Sequence, residues 1–108
     1  MTVEKLSNSI GLKVICMPRP EAQINDVYIG DLLSWVMGRA VAGNAWITIM
    51  SNVNVLAVAS LAEVSCVILA EGVTLDEETK SVAKEKGINV LTSSLSTYET
   101  AKKIFPLI

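Results

Sequence analysis

The fold class is decided by one stretch of sequence, Trp46-Ile47-Thr48-Ile49-Met50-Ser51-Asn52-Val53-Asn54, which continues into the apolar run at residues 55–61. Its first five residues place bulky and β-branched side chains on both faces, as a strand buried on both sides requires. The apolar run is nonpolar almost all the way around a helix, and the polar turn at residues 51–54 can cap that helix. The stretch therefore predicts a central parallel strand that leads into a buried helix.

The amino-acid composition agrees with a layered α/β domain. A chain of 108 residues is long enough for one domain with its own core. Hydrophobic residues make up 51% of the chain but aromatic residues only 5%, so the core must consist mainly of Val, Ile, Leu and Ala. Such a core suits a parallel sheet covered by helices.

The charge and the apolar runs exclude two classes of partner. Nine basic and eleven acidic residues are scattered along the chain and give a net charge of −2, so no basic stripe is present to bind nucleic acid. The longest apolar run is far shorter than the roughly 20 residues that span a bilayer, and the first residues do not resemble a signal peptide. We therefore expect a cytoplasmic protein that binds neither nucleic acid nor membrane.

The two cysteines, Cys16 and Cys66, each lie inside an apolar run, which is typical of free cysteines buried as small hydrophobic residues. The chain has no CxxC motif and no histidine. A conventional zinc site, a cluster held by four thiolates and a Ser-His or Cys-His nucleophile are therefore excluded within one chain. We expect neither a metal site nor a cofactor.

The remaining sequence predicts alternating strands and helices. We expect helices to begin at Thr2, at Asp31, at a Thr74-Leu75-Asp76-Glu77 capping box and at a Ser96-Thr97-Tyr98-Glu99 capping box. Pro18 and Pro20 make residues 18–26 an irregular connection. The predicted strands are residues 12–17, 27–29, 46–50, 66–70 and 88–91. The predicted fold is a single α/β domain over residues 1–108, with a mostly parallel sheet of four to five strands and helices on both faces.

Candidate ligand-binding residues follow from this topology, because right-handed crossovers place all the strand-to-helix turns at one edge of the sheet. Hydroxyls, amides and helix N-termini at that edge suit a small anionic or phosphate-bearing ligand. The same residue types are also what helix starts prefer, and capping alone explains them. The candidates are Asp31, Ser34, Ser51, Asn52, Asn54, Glu71, Gly72, Thr92, Ser93 and Ser94.

No catalytic residue is predicted. The chain lacks the GxxxxGK[ST] and GxGxxG phosphate-binding motifs. Asp31 and Glu71 are the one pair of carboxylates to consider for acid-base chemistry, but neither has a histidine or a metal to act with.

Aromatic and methionine residues suggest a protein interface, and a twofold dimer is the commonest assembly. Tyr28, Trp35 and Met37 are the interface candidates. Trp46 is a further aromatic residue that could lie at an interface, and both Trp46 and Met37 could instead belong to the core. Trp35 lies off the centre of the apolar stripe of its helix, which consists of Leu32, Leu33, Val36, Met37 and Ala40. Gly38 interrupts the same stripe and suggests close packing against another backbone.

Five ordered segments resemble the DRTGG domain family: residues 27–37, 45–49, 54–61, 87–92 and 96–101. The similarity covers nearly the whole chain. It departs from the family at the naming motif, because the two glycines expected before Tyr28 are Asp26 and Val27 here and the preceding Asp-Arg is missing.

The resemblance implies a compact α/β module of the kind found alone, between CBS domains, or beside acetyltransferase or synthase domains, where it helps subunits pair. Stand-alone members similar to this chain tend to be encoded near iron-only hydrogenase and NADH-oxidising subunits. We therefore expect a non-enzymatic, homodimeric regulatory or accessory module that binds a small anionic or nucleotide-like ligand, or a redox enzyme subunit. The alternatives are a purely structural interaction module without ligand, and an unrecognised phosphotransfer or hydrolytic enzyme.

Overall fold

The computed structural model describes residues 1–108 and contains one five-stranded sheet between two layers of helices. In chain order the elements are α1 (Val3–Ile10), β1 (Lys13–Cys16), β2 (Asp26–Ile29), α2 (Leu33–Arg39), β3 (Asn44–Thr48), α3 (Val53–Ala62), β4 (Cys66–Leu69), α4 (Glu77–Lys86), β5 (Val90–Thr92), α5 (Thr97–Ile104) and a 3-10 turn (Phe105–Leu107).

The strand order is β1-β5-β4-β3-β2, with β2 to β5 parallel and β1 antiparallel to β5. Because the parallel strands are neighbours in chain order, crossovers of one hand place α2, α3 and α4 on the same face. Val36, Leu56 and Ala83 pack there, while Leu6 of α1 and Ile104 of α5 pack on the opposite face. The predicted mostly parallel sheet with helices on both faces is confirmed, and β1 and β2 are its two open edges.

The central strand β3 is buried at all five positions. It spans Asn44–Thr48 rather than the predicted residues 46–50, and Ile49, which follows it, is 44% exposed. Trp46 points to the α2–α4 face, and Ala45 and Ile47 point to the α1–α5 face. The Trp46 indole N–H donates to the carbonyl of Gly30 at 2.8 Å, which fixes the turn after β2. Cys16 and Cys66 are free and buried, as expected, and burial raises the pKa of Cys66 to about 12.

Two of the predicted helix starts are wrong. The N-cap of α2 is Leu32, which offers no capping side chain, because the Asp31 carboxylate instead accepts hydrogen bonds from β3. The N-cap of α4 is Asp76 rather than Thr74, and its side chain accepts from the Thr79 N–H at 2.7 Å. The Ser96 cap of α5 is confirmed by its bond from the Glu99 N–H.

The irregular segment 18–26 packs over the amino ends of the strands, where Asn89 holds it. Asn89 is fully buried, and its amide donates to the carbonyls of Arg19 at 2.7 Å and Ser65 at 3.0 Å. Its side-chain oxygen accepts from the Arg19 N–H at 2.9 Å. The Arg19 guanidinium donates in turn to the carbonyl of Gly87, the C-cap of α4. One buried amide therefore ties the loop to β5 and to the start of β4.

The α2 stripe is less buried than the spacing predicts. Only Val36 is fully buried, whereas Leu32 is 58% exposed and Met37 is 41% exposed. The expectation of close packing at Gly38 is also wrong, since a Cβ added there would meet no atom within 4 Å. The reason is that α2 covers the edge strand β2 and has no helix beyond it on that side.

We expect Gly38→Ala to raise the free energy of unfolding by about 1 kcal/mol, because alanine loses less backbone entropy inside a helix and has open space here. Urea denaturation followed by circular dichroism measures the change. Gly87→Ala is the matched control: Gly87 has φ +73°, so the same substitution should destabilise the protein. Destabilisation by Gly38→Ala would contradict the exposed placement of this residue.

Candidate functional site

The carboxyl ends of β2, β3, β4 and β5 meet at one edge of the sheet, as the parallel pairing requires. All the predicted ligand-binding residues lie at this edge or in the first turns of the helices that follow. The structure separates them into four groups: Asp31 and Ser34 after β2, Ser51, Asn52 and Asn54 after β3, Glu71 and Gly72 after β4, and Thr92, Ser93 and Ser94 after β5.

In the first group, the Asp31 carboxylate is hydrogen-bonded within the protein rather than left free for a ligand. Its Oδ1 atom accepts from the Thr48 hydroxyl at 2.8 Å and from the Ile49 N–H at 3.0 Å. Asp31 therefore joins the turn after β2 to the end of β3. Ser34 is exposed in the first turn of α2, outside this arrangement.

The hydroxyls after β5 are also engaged within the protein. The Thr92 hydroxyl donates to the carbonyl of Val73 at 2.6 Å. Ser93 is buried, and its hydroxyl lies 2.8 Å from that of Thr100 in α5. Only Ser94 is exposed. Thr92 and Ser93 thus fasten the turns that follow β4 and β5.

The group after β3 opens onto a cleft of about 430 Å³ between the N-termini of α3 and α4. One wall includes the predicted residues Ser51 and Asn52. The other wall consists of α4 residues and its N-cap, none of which was predicted to bind a ligand. The cleft is lined by Ser51, Asn52, Val53, Asp76, Glu78, Thr79 and Val82. Asn54 is exposed one position beyond this lining, and its N–H donates to the Asn52 side chain at 2.9 Å.

The two walls of this cleft carry opposite polarity. The N-terminus of α3 carries the partial positive charge of the helix dipole, although Asn52 already accepts from the N–H groups of Asn54 and Val55. The opposite wall carries the carboxylates of Asp76 and Glu78. Hydrogen bonds from Thr79 lower the pKa of Asp76, so this carboxylate is ionised at neutral pH. The cleft therefore suits a ligand with both a phosphate and hydroxyl groups better than a simple anion.

The second wall could have been found in the sequence from the pair Asp76 and Thr79, which has the spacing of an N-cap and its N3 residue.

Glu71 is the carboxylate that could pair with Asp31 for acid-base chemistry. It is exposed at φ 61° in the turn after β4, and its N–H donates to the carbonyl of Leu95. Glu71 thus lies in a different turn from Asp31. No group of three His, Cys, Asp or Glu side chains is placed to hold a metal ion.

The exposed aromatic surface lies at the open edge of β2. Trp35 is 53% exposed, and the Arg39 guanidinium lies 3.7 Å from the centre of its ring. Arg39 also lines a cleft of about 400 Å³ beside residues 25–28 of the edge strand, including Tyr28. Trp35, Arg39 and Tyr28 therefore share one surface, which we call the β2-edge surface.

Met37 does not lie on this surface. Two residues along an α-helix correspond to about 200° of rotation, so Met37 projects from the opposite flank of α2 to Trp35. It is 41% exposed there. Of the three predicted interface residues, the structure brings only Tyr28 and Trp35 together.

Comparisons with known proteins bear on the family and the fold. The sequence profile of the DRTGG domain matches residues 5–106. Among solved structures, the chain is similar to the CBS and DRTGG domains of the regulatory region of Clostridium perfringens pyrophosphatase, complexed with the activator diadenosine tetraphosphate. The TM-score is 0.77 at 16% sequence identity, over 95% of this chain and 45% of that one, so the likeness establishes the fold. No curated protein matches the sequence, and none of the helices is both long and apolar enough to cross a bilayer.

Proposed function

Because the chain belongs to the DRTGG domain family, we propose that it is a non-catalytic, cytoplasmic regulatory module in which two copies pair through the β2-edge surface. The observation that carries this proposal is the Trp35 ring, half exposed yet held in place by Arg39. A large aromatic side chain that is already ordered loses little entropy on binding, and exposed apolar patches mark contact sites.

The chemistry of the β2 edge supports pairing through side chains rather than through a continuous sheet. The N–H of Val27 already donates to the Asp26 carboxylate at 2.8 Å, so this main-chain group is not free to pair with another strand. The same cleft holds one carboxylate, Asp26, and one guanidinium, Arg39. A twofold arrangement can place Asp26 of one copy opposite Arg39 of the other, and the reverse.

Sedimentation velocity over a range of protein concentrations tests this pairing. We expect the unmodified chain to form dimers and Trp35→Glu to weaken them at least about tenfold, because the substitution places a carboxylate in an apolar contact. Met37→Glu, on the opposite flank of the same helix, is the matched control and should change the dimer dissociation constant less than about twofold.

Circular dichroism melting should show that both variants fold, since exposed substitutions usually change stability by less than about 0.5 kcal/mol. A monomeric unmodified chain would overturn the pairing proposal. Equal effects of Trp35→Glu and Met37→Glu would overturn the choice of the β2-edge surface.

The cleft between α3 and α4 favours a second element of function, the binding of a nucleotide-like ligand. We propose that a phosphate group lies against the α3 N-terminus near Ser51, and that ribose-type hydroxyls donate to the carboxylates of Asp76 and Glu78. The solved relative with a DRTGG domain binds a nucleotide activator in its regulatory region, which is consistent with this ligand class.

Isothermal titration with ATP, AMP, diadenosine tetraphosphate and inorganic phosphate tests the ligand. We expect one adenine nucleotide to bind more tightly than phosphate, and Glu78→Gln to weaken it about fivefold through loss of one charge-assisted hydrogen bond. Glu77→Gln is the matched control, because Glu77 lies in the same helical turn but outside the cleft. Absence of nucleotide binding, or equal losses in the two variants, would leave the purely structural module as the better description.

The accessory role is proposed to be exerted on a redox enzyme subunit, as the resemblance to stand-alone family members implies. Co-purification of the tagged chain from its source tests this partner, with Trp35→Glu as a comparison that separates partner binding from self-pairing. Turnover of a phosphorylated or acylated substrate that depends on Asp31 or Glu71 would instead establish the enzymatic alternative.

A further inference from the structure

The outer edge of β1, at the opposite end of the sheet from β2, is an open strand edge. β1 pairs only with β5, and its outer side faces no other strand. No side chain of the protein hydrogen-bonds to the main chain of β1, in contrast to the Asp26 carboxylate that occupies the Val27 N–H in β2. The outward main-chain groups of β1 are therefore available to a partner.

A groove of about 370 Å³ follows this edge and is bounded by α4. One wall consists of five consecutive residues, 14–18, and the other wall carries Lys80 and Lys84. Three of these residues, 14–16, belong to β1, and at about 3.3 Å per residue they give the groove the length of a short strand segment. Its strand wall is largely apolar, and Val14 is 45% exposed. The shape and the lining suit an extended peptide.

The charges around the groove have one sign. Lys80 and Lys84 lie one helical turn apart, and neither forms a salt bridge, since the single salt bridge of the protein joins Lys102 to Glu99. Both lysines line the groove together with Cys16 of β1. Burial raises the pKa of the Cys16 thiol, and the positive charges of Lys84 and Lys80 oppose that rise. No acidic residue lines the groove, although the whole chain is negatively charged.

We propose that this groove binds an extended acidic segment of a partner protein, which adds beside β1 as a further strand with its carboxylates against Lys80 and Lys84. Strand addition supplies main-chain hydrogen bonds, and the lysines select the charge of the partner. A second copy of this chain is a poor occupant, because symmetric pairing of two β1 edges brings like charges together.

The irregularities of β1 support selectivity. The register shifts between Val14 and Cys16, and Pro18 lies two residues after the end of the strand. Bulges, prolines and lysines are the features by which edge strands avoid indiscriminate pairing. A partner segment must therefore be short and must offset the positive charge. This docking site is independent of the proposed self-pairing, because β1 and β2 are opposite edges of the sheet.

The test uses the full chain, labelled with ¹⁵N, and a short synthetic peptide in which glutamate alternates with valine. Amide signals are recorded while peptide is added to about 1 mM, so that a dissociation constant as high as about 1 mM can be detected. We expect the perturbed signals to lie at residues 13–17 and 80–84, and binding to weaken as salt is raised. A peptide in which lysine alternates with valine should not bind. A glutamate peptide methylated on alternate main-chain nitrogens should bind at least about tenfold more weakly, because it cannot pair as a strand.

Variants of α4 locate the charge requirement. We expect the double variant Lys80→Glu/Lys84→Glu to bind the glutamate peptide at least about tenfold more weakly, and Lys80→Ala/Lys84→Ala to show a smaller loss in the same direction. Lys86→Glu is the matched control, since Lys86 lies on the same helix but outside the groove, and it should bind within about twofold of the unmodified chain. Absence of perturbation, perturbation at other residues, unchanged binding by the double variant, or an equal loss in Lys86→Glu would each overturn the proposal.

Discussion

Trp46→Ala is expected to lower the free energy of unfolding by about 4 kcal/mol, the largest effect of any single substitution considered for this protein. Trp46 is completely buried at the centre of β3, where Tyr28 and Val67 are its neighbours on the adjacent strands. Removal of the indole leaves a cavity against α2, α3 and α4, and it also leaves the carbonyl of Gly30 without its donor. A domain of this size has only about 5–15 kcal/mol of net stability, so the loss is a large fraction of the total.

Urea denaturation followed by circular dichroism measures this change, and Trp46→Phe is its control. Phenylalanine keeps most of the apolar contact but cannot donate to Gly30, so we expect a smaller loss of about 1–2 kcal/mol. Amide hydrogen exchange at residues 30–35 should accelerate in both variants, because the indole bond fixes that turn. A loss below about 1.5 kcal/mol for Trp46→Ala would contradict the packing described for the centre of the sheet.

Asn89→Ala is expected to lower the free energy of unfolding by about 3 kcal/mol. The substitution removes three hydrogen bonds, and it leaves the N–H and carbonyl of Arg19 and the carbonyl of Ser65 without their partner. Each unsatisfied buried main-chain group costs about 1–3 kcal/mol, although rearrangement of the exposed loop recovers part of that cost. We expect the loss of stability to extend along the amino ends of the strands, since segment 18–26 covers them.

Denaturation and hydrogen exchange together test the Asn89 prediction. Asn54→Ala is the matched control, because Asn54 is exposed and the substitution should change stability by less than about 0.5 kcal/mol. Amides in residues 19–25 should lose protection in Asn89→Ala before those of β3 and β4 do. Full protection of that segment in the variant would mean that other contacts hold the loop.

The two open edges of the sheet give the protein two surfaces of different chemistry. At β2, an ordered aromatic ring lies beside a strand with one occupied main-chain donor. At β1, free main-chain groups lie beside two unpaired lysines. The proposed self-pairing and the proposed partner docking therefore use opposite edges, and the cleft of about 430 Å³ at the carboxyl edge lies between them.

The sequence by itself determined the type and order of the elements. The bulky residues of the central strand, the all-round apolar run after it and the Ser96 cap depend only on neighbours a few positions away, although the strand lies two residues earlier than predicted, at Asn44–Thr48. For the same reason, the burial of Cys16 and Cys66 and the irregularity of residues 18–26 could be predicted. The structure confirms both, except that Asp26 is already the first residue of β2.

Only the tertiary structure decided which polar groups remain open to a ligand or partner. Asp31 and Asp76 both precede helices, yet Asp76 caps its helix whereas Asp31 is captured by Thr48 and Ile49 of the neighbouring strand. The Asn89 contact joins residues 70 positions apart, and the basic groove joins β1 to a helix more than 60 positions later. Such choices depend on which strands become neighbours, and that is set by the summed burial of the whole core rather than by any local pattern.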